Sequence, residues 1–317
     1  EFRRVLFRSW IARRAIAPAT HSADGALLAA VGARNLERAR GLHPQALASA
    51  SYEQVVSDPA VDAVYIALSN DAHLPWALRA IELGKPVLCE KPLGCNAEEA
   101  RRMRAAADAR GVLLVEATWN LWHPRTRRAS ALVASDTIGE VSAVYVSFVF
   151  ERVQDDNYRL DPALGGGAML DIGFYPLTGA AWATGVTPGE VRVAAADIVR
   201  SARGVDLTTD AQLTMRDVPV RVRASFSEPA SQSLRIEGAH GSIEFCGSDA
   251  YTSWLQPSSL LVRDRDGERT EHFPPVDPYR LMIEHVSLAV RGEPAFLPEP
   301  SWSIAVAEAM DQALSLG

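Results

Sequence analysis

Residues 61–68 (VDAVYIAL) form an unbroken apolar run, bounded by Asp58-Pro59 on one side and Ser69-Asn70 on the other. A strand with one wetted face alternates apolar and polar residues. A run without alternation suits a strand buried on both faces, as in a parallel sheet covered by helices. Its surroundings repeat the pattern. Residues 27–32 (LLAAVG) are strand-like, and Asn35 opens the polar, helix-like stretch that follows. Residues 73–83 read as a helix ended by Gly84 at a C′-like position, and residues 87–89 as the next strand. Asn96 as N-cap with Glu99 as its capping-box partner starts another helix, with Gly111 past its end. Residues 112–116 return to strand. Such βαβα alternation implies a parallel sheet with right-handed crossovers, that is, a doubly wound nucleotide-type domain.

The texture changes near Gly139. Residues 141–153 alternate over a long strand and a Gly-rich helix follows. Several strand-like runs joined by short turns fill residues 190–245, the pattern of an antiparallel or mixed sheet. Helices over 278–291 and 301–316 close the chain. The expected fold is α/β, with a doubly wound parallel domain over residues 1–122. An α+β domain with a predominantly antiparallel open sheet, for substrate binding and oligomerisation, spans 123–317. A length of 317 residues accommodates two such domains.

Charge and cysteine usage exclude several classes of function. With 39 acidic and 32 basic side chains the net charge is −7, which gives no electrostatic reason to bind nucleic acid or an anionic membrane. The longest uncharged run, residues 172–189, is interrupted by Gly173, Pro176, Gly179, Gly185 and Pro188, so it reads as a buried helix and loop and not as a membrane span. Cys89, Cys95 and Cys246 are odd in number and widely spaced. They suit a reduced, cytoplasmic protein and make no CxxC pair. No histidine pair has zinc-site spacing, so no metal is expected.

Two segments carry chemistry. In residues 84–94 (GKPVLCEKPLG), Glu90-Lys91-Pro92 falls at the C-terminal end of an expected parallel strand, where open α/β sheets place their ligands. Pro92 lacks an N–H and ends the strand, which leaves Lys91 at the edge of a crevice. Taken alone, Lys91 reads first as a surface lysine in a strand-to-helix loop. In residues 165–177 (GGGAMLDIGFYPL), three glycines allow backbone to approach a ligand or a neighbouring strand closely. Asp171 and Tyr175 stand one helical turn apart on one face. Alone, they read equally as a capping carboxylate and a core phenol. Trp119, Trp122 and His123 either wall an active site or pack a domain junction.

Together these segments resemble the Gfo/Idh/MocA family of nicotinamide-dependent oxidoreductases. The similarity is greatest to its dimeric dihydrodiol dehydrogenase and NADP-dependent xylose dehydrogenase branch. The likeness starts near Ile11 and includes IARRAIAP, SYEQVVSDPAVDAVYIALSNDAH, LCEKPLGCNAEEARRM and GGGAMLDIGFYPL. It implies a Rossmann-type first domain, a homodimer and a small carbohydrate or diol substrate. It further implies that Lys91 contacts the nicotinamide ribose and the substrate hydroxyl, that Tyr175 is the general acid/base and that Asp171 positions the substrate. Ile11, Leu68, Asn70, His73 and Glu90 would lie along the cofactor, with a structural place at the helix start an equal reading for His73. A free phenol titrates near pH ~10, and a nearby ammonium such as Lys91 favours phenolate. At the end of the second strand, where NAD-preferring sites carry an acid for the ribose 2′-OH, stand Ala33-Arg34-Asn35. Arg34 could meet a 2′-phosphate, so NADP is the expected cofactor, with NAD the alternative.

The start departs from the family pattern. Between a strand over residues 5–7 and a helix beginning near Ile11, the Gly-rich turn is replaced by Arg8-Ser9-Trp10, and the first glycine is Gly25. Side chains there obstruct the approach of a pyrophosphate. The abrupt resumption of family-like sequence at Ile11 suggests that residues 1–9 are a cloning or assembly scar. The expected function is hydride transfer at C1 of an aldose or on a trans-dihydrodiol. The rival is a sugar- or nucleotide-sensing binding protein without turnover, on the same scaffold.

Overall fold

The computed structural model describes residues 11–151 and 157–316, together with the backbone of residues 2–7. The Arg8-Ser9-Trp10 turn and the end of the strand expected to reach residue 153 lie outside them. The chain divides into two compact units, one of residues 1–94, 98–122 and 277–299, the other of 95–97, 123–276 and 300–317.

The first unit holds a six-stranded parallel sheet of β1 (Phe2–Phe7), β2 (Ala26–Gly32), β3 (Leu47–Ser49), β4 (Ala63–Ile66), β5 (Val87–Cys89) and β6 (Leu114–Glu116). Its spatial order is β3-β2-β1-β4-β5-β6. The chain winds outward in one direction from β1 to β3 and in the other from β4 to β6, so the switch point lies between β1 and β4. Every residue of β4 is buried, as its unbroken apolar run predicts. Helices cover the sheet. His73–Glu82 follows β4, and Gly84 lies just beyond it at φ +72°, a left-handed conformation that suits glycine. Ala97–Arg110 runs from β5 to β6. The helix opened by Asn35 is short, Leu36–Arg40, with the Asn35 side chain accepting from the Arg38 N–H.

The second unit is built on an eight-stranded sheet. Its strands are β7 (Val141–Val149), β8 (Val191–Arg200), β9 (Asp206–Met215), β10 (Val218–Ser225), β11 (Ser231–Gly238), β12 (Gly241–Phe245), β13 (Ser258–Asp264) and β14 (Gly267–Phe273). The order is β14-β13-β12-β11-β7-β10-β9-β8, antiparallel except for the parallel pair β7–β10. Helices Phe174–Thr184 and Ser301–Ser315 pack on one face. Val144, Val146, Val220, Val222, Leu234 and Ile236 are buried, while Tyr145 and its cross-strand neighbours Arg221 and Arg235 are exposed. That is the in–out alternation of an antiparallel sheet with one wetted face. On the edge strand β8, Gln312 satisfies the Val193 N–H at 3.0 Å and the Val191 carbonyl at 3.2 Å. Among the described residues no helix is long and apolar enough to cross a membrane.

Candidate active site

In the first unit the loop after β5 is fastened at nearly every residue. The Tyr65 hydroxyl, on β4, donates to Glu90 Oε1, and both side chains are buried. The Lys91–Pro92 peptide is cis. The Pro92 carbonyl faces His73 Nδ1 at 2.9 Å, and His73 Nε2 lies 3.2 Å from the Leu68 carbonyl. The Leu93 N–H donates to Glu116 Oε1 at 2.5 Å. At Gly94 a Cβ would come within 2.7 Å of the Glu99 side chain, so the loop lies flat on the following helix. Pro92, Leu93 and Gly94 are buried and Lys91 is half-exposed. The packing anchors the loop and leaves Lys91 half-exposed at its start.

His73 is fully buried with both ring nitrogens directed at carbonyls. Burial holds its pKa below the usual imidazole range, and the nearby Lys91 ammonium acts in the same direction. A neutral ring donates one hydrogen bond and ties the loop after β4 to the loop after β5. Of the other residues expected along a cofactor, Ile11 and Leu68 are half-exposed, Asn70 is buried just after β4, and Arg34 is exposed beyond the end of β2. These ends, with that of β5, lie on the carboxyl side of the sheet around its switch point, where open α/β sheets place their ligands. Glu37, three positions after Arg34, pairs with Arg40. Trp119 and Trp122 pack within this unit. The first stacks on Tyr279 at 4.5 Å, and the second donates from Nε1 to the Phe296 carbonyl at 3.2 Å.

In the second unit Asp171 lies in a wide π-helical turn, Met169–Gly173, that runs into the α-helix Phe174–Thr184 carrying Tyr175. Wide turns of this kind recur at functional sites. The sequence suggested a plain helix here, and the packing explains the difference. A Cβ on Gly173 would meet Met169 Sδ and approach Ala224 of β10, so the turn presses against the sheet where a side chain has no room. The glycine run before it is likewise fitted to protein. A Cβ on Gly166 would fall 2.5 Å from the Arg159 carbonyl, and Gly167, at φ +123°, lies against the Asp206 carboxylate. Asp206 accepts from the Met169 N–H at 2.8 Å and the Thr209 hydroxyl at 2.9 Å, so the carboxylate that closes the start of this turn is Asp206 and not Asp171.

Asp171 instead receives the Arg159 guanidinium, Nε to Oδ2 at 2.5 Å, with both side chains largely buried. Burial draws the Arg159 pKa down; Asp171, Tyr158 and Tyr175 oppose it and the net direction is up. Tyr175 is buried, with ring centroids 5.8 Å from Phe148 and 6.4 Å from Tyr251. Phe148 stacks on Tyr251, whose hydroxyl is held by the Ser233 carbonyl. Sequence reasoning did not find Arg159. It precedes Asp171 by 12 positions in a loop without periodicity. His123, also in this unit, is a buried N-cap that accepts from the Arg125 N–H, and burial pushes its pKa down to about 4.

A doubly wound sheet presenting a lysine at its strand ends, with a second unit holding a buried phenol and carboxylate, defines a nicotinamide-dependent oxidoreductase. Residues 8–118 match the oxidoreductase family with NAD-binding Rossmann fold, and residues 126–244 the GFO/IDH/MocA C-terminal domain. The chain is 34% identical over 293 residues to D-xylose 1-dehydrogenase (NADP(+)) 2 of Haloferax volcanii, covering 90% of this chain and 88% of that protein. It is 32% identical over 259 residues to trans-1,2-dihydrobenzene-1,2-diol dehydrogenase of Mus musculus, covering 78% and 72%. The 3-ketoreductase KijD10 of Actinomadura kijaniata, crystallised with NADP and TDP-benzene, superposes with a TM-score of 0.88 at 25% identity, covering 99% and 97%. The chain belongs to the GFO/IDH/MocA oxidoreductase family.

Proposed function

We propose that this protein transfers hydride between NADP(H) and the hydroxyl-bearing carbon of a small substrate, C1 of an aldose, with a trans-dihydrodiol as the second substrate class. The carrying observation is the buried Tyr175 phenol beside an ion-paired carboxylate, since a sensor without turnover has no use for a proton-transfer group walled in aromatic rings. Nicotinamide, when bound, supplies the hydride chemistry. The protein's residues do the rest. Tyr175 Oη takes the hydroxyl proton in oxidation and returns it in reduction. Lys91 Nζ holds the same hydroxyl and stabilises phenolate, and the Asp171 carboxylate orients the sugar. Glu90 and His73 keep the Lys91 loop in place. Arg34 meets the 2′-phosphate. Ile11, Leu68 and Asn70 border the cofactor.

A homodimer and a cytoplasmic location go with this reading, the latter in keeping with Cys89, Cys95 and Cys246 forming no disulfide. Initial rates at 340 nm with D-xylose and with trans-1,2-dihydrobenzene-1,2-diol test the reading. We expect turnover with NADP+ exceeding that with NAD+, and Arg34→Ala to erase the preference. No reduction of either cofactor with either substrate would overturn it.

A further inference from the structure

Within its own unit the Gly165–Gly167 run is packed tightly against protein. Gly166 lies against the Arg159 carbonyl with no room for a Cβ, and the Gly167 N–H donates to that same carbonyl at 2.8 Å. On the other side of the peptide, the Arg159 N–H donates to Asn157 Oδ1 at 3.0 Å. The Arg159 backbone is therefore held from both sides. Its guanidinium lies 4.9 Å over the Tyr158 ring, which fixes the plane of the side chain. Its Nε then reaches Asp171, 12 positions later, at 2.5 Å. Glycine run, loop and ion pair form one mechanical chain ending on the carboxylate that precedes Tyr175 by a turn.

Resting on the reading of Asp171 and Tyr175 given above, we propose that Arg159 is a positioning residue of the reaction. It holds the Asp171 carboxylate at one angle toward the substrate and places a fixed positive charge in the neighbourhood of the Tyr175 phenol. The glycine run serves this placement. A charge on a preset arginine loses little freedom when it pairs, which is why a planar guanidinium suits the position better than an ammonium. Among the described residues of its own unit, Arg159 acts on the phenol electrostatically, with Asp171 paired to that guanidinium, Tyr158 beyond it and Tyr251 across the aromatic cluster. Lys91 is the further cation that the proposed mechanism brings to it.

Arg159→Met, Arg159→Lys and Tyr175→Phe test the assignment together, assayed with D-xylose and NADP+. For Arg159→Met we expect KM for xylose to rise and kcat to fall, giving a loss of about tenfold or more in kcat/KM. NADPH affinity should stay at its wild-type value, the melting temperature should fall because the largely buried Asp171 carboxylate loses its partner, and Arg159→Lys, which keeps the charge but not the planar guanidinium, should recover part of the loss. Arg159→Met within twofold of wild type, alongside an inactive Tyr175→Phe, overturns the inference and leaves the catalytic reading standing. Equal damage from Lys and Met also overturns it, because that is the mark of packing. Full activity in Tyr175→Phe sinks the catalytic reading itself. A second measurement needs no substrate. The phenolate absorbance of Tyr175 near 295 nm, taken as the difference from Tyr175→Phe, should titrate at higher pH in Arg159→Met, and an unmoved midpoint contradicts the proposal.

Discussion

The two segments proposed to carry the reaction, one in each unit, are held by different physics. In the first unit, the loop carrying Lys91 is anchored by neutral or one-sided hydrogen bonds, from the Tyr65 hydroxyl to Glu90, between His73 and two carbonyls, and from the Leu93 N–H to Glu116. In the second, Asp171 is placed by steric fit and charge, with glycines pressed on backbone, a buried Asp206 and the Arg159 ion pair. Hydrogen bonds along the backbone fix the path of a loop. An ion pair fixes the side chain itself. In the proposed reaction the lysine contacts a substrate that arrives and departs, and the carboxylate meets it at one angle.

The largest contrast should come from two glycines. Gly167→Ala combines a left-handed backbone with a Cβ driven into a buried carboxylate, and we expect a loss of about 3 kcal/mol or more in chemical denaturation of the second unit. Gly84→Ala, also at positive φ but with open space around the new methyl, should cost only about 1 kcal/mol. Equal costs would show that steric fit is not what distinguishes the second unit.

Next in size is a pH effect. His123 has a folded pKa of about 4 against an ordinary 6.5, so the unfolded chain binds the extra proton first. Its neutral burial supports folding above pH ~6.5, and the support is lost as pH falls from there toward ~4, on the order of 2 kcal/mol in total. His123→Asn keeps an acceptor for the Arg125 N–H and removes the titration, so its stability should fall less steeply across that window. His73, shifted in the same direction in the first unit, continues to act in both proteins. An unchanged slope in His123→Asn would contradict this account.

The smallest effect expected is from Tyr65→Phe. It removes one buried donor to Glu90 and should cost about 1–2 kcal/mol, with kcat/KM falling through a looser Lys91 loop while NADPH still binds. A loss of stability with no change in kcat/KM would mean that the anchoring is structural only.

Much of this was legible in the chain. β4 and β5 are readable because strands buried on both faces are continuous in apolar residues, and Lys91, Asp171 and Tyr175 stand in motifs that locate them. What stayed hidden has physical reasons. β3, three residues on a sheet edge, is too short to show a period. β14, GERTEHF, alternates without apolar residues until its end, although the Arg265-Asp266 turn before it, with Gly267 opening the strand, was a usable hairpin signal. Arg159, Tyr65 and Asp206 act across 12, 25 and 37 positions, and only the fold joins them to their partners. The glycine run suggested close approach to a ligand or to neighbouring protein. Within its unit it is filled by the Arg159 loop and Asp206, so the spacing was informative and the occupant was not.

The central claim is that two separately built halves act on one hydroxyl. A double-mutant cycle of Lys91→Met and Tyr175→Phe, read as turnover of D-xylose with NADPH affinity as control, tests it most directly. Each single change should lower turnover by roughly 10²-fold or more while cofactor still binds, and the double variant should be scarcely worse than the poorer single one, because groups acting as a unit are not additive. Losses that multiply in the double variant, or a Tyr175→Phe enzyme as fast as the wild type, would contradict the account.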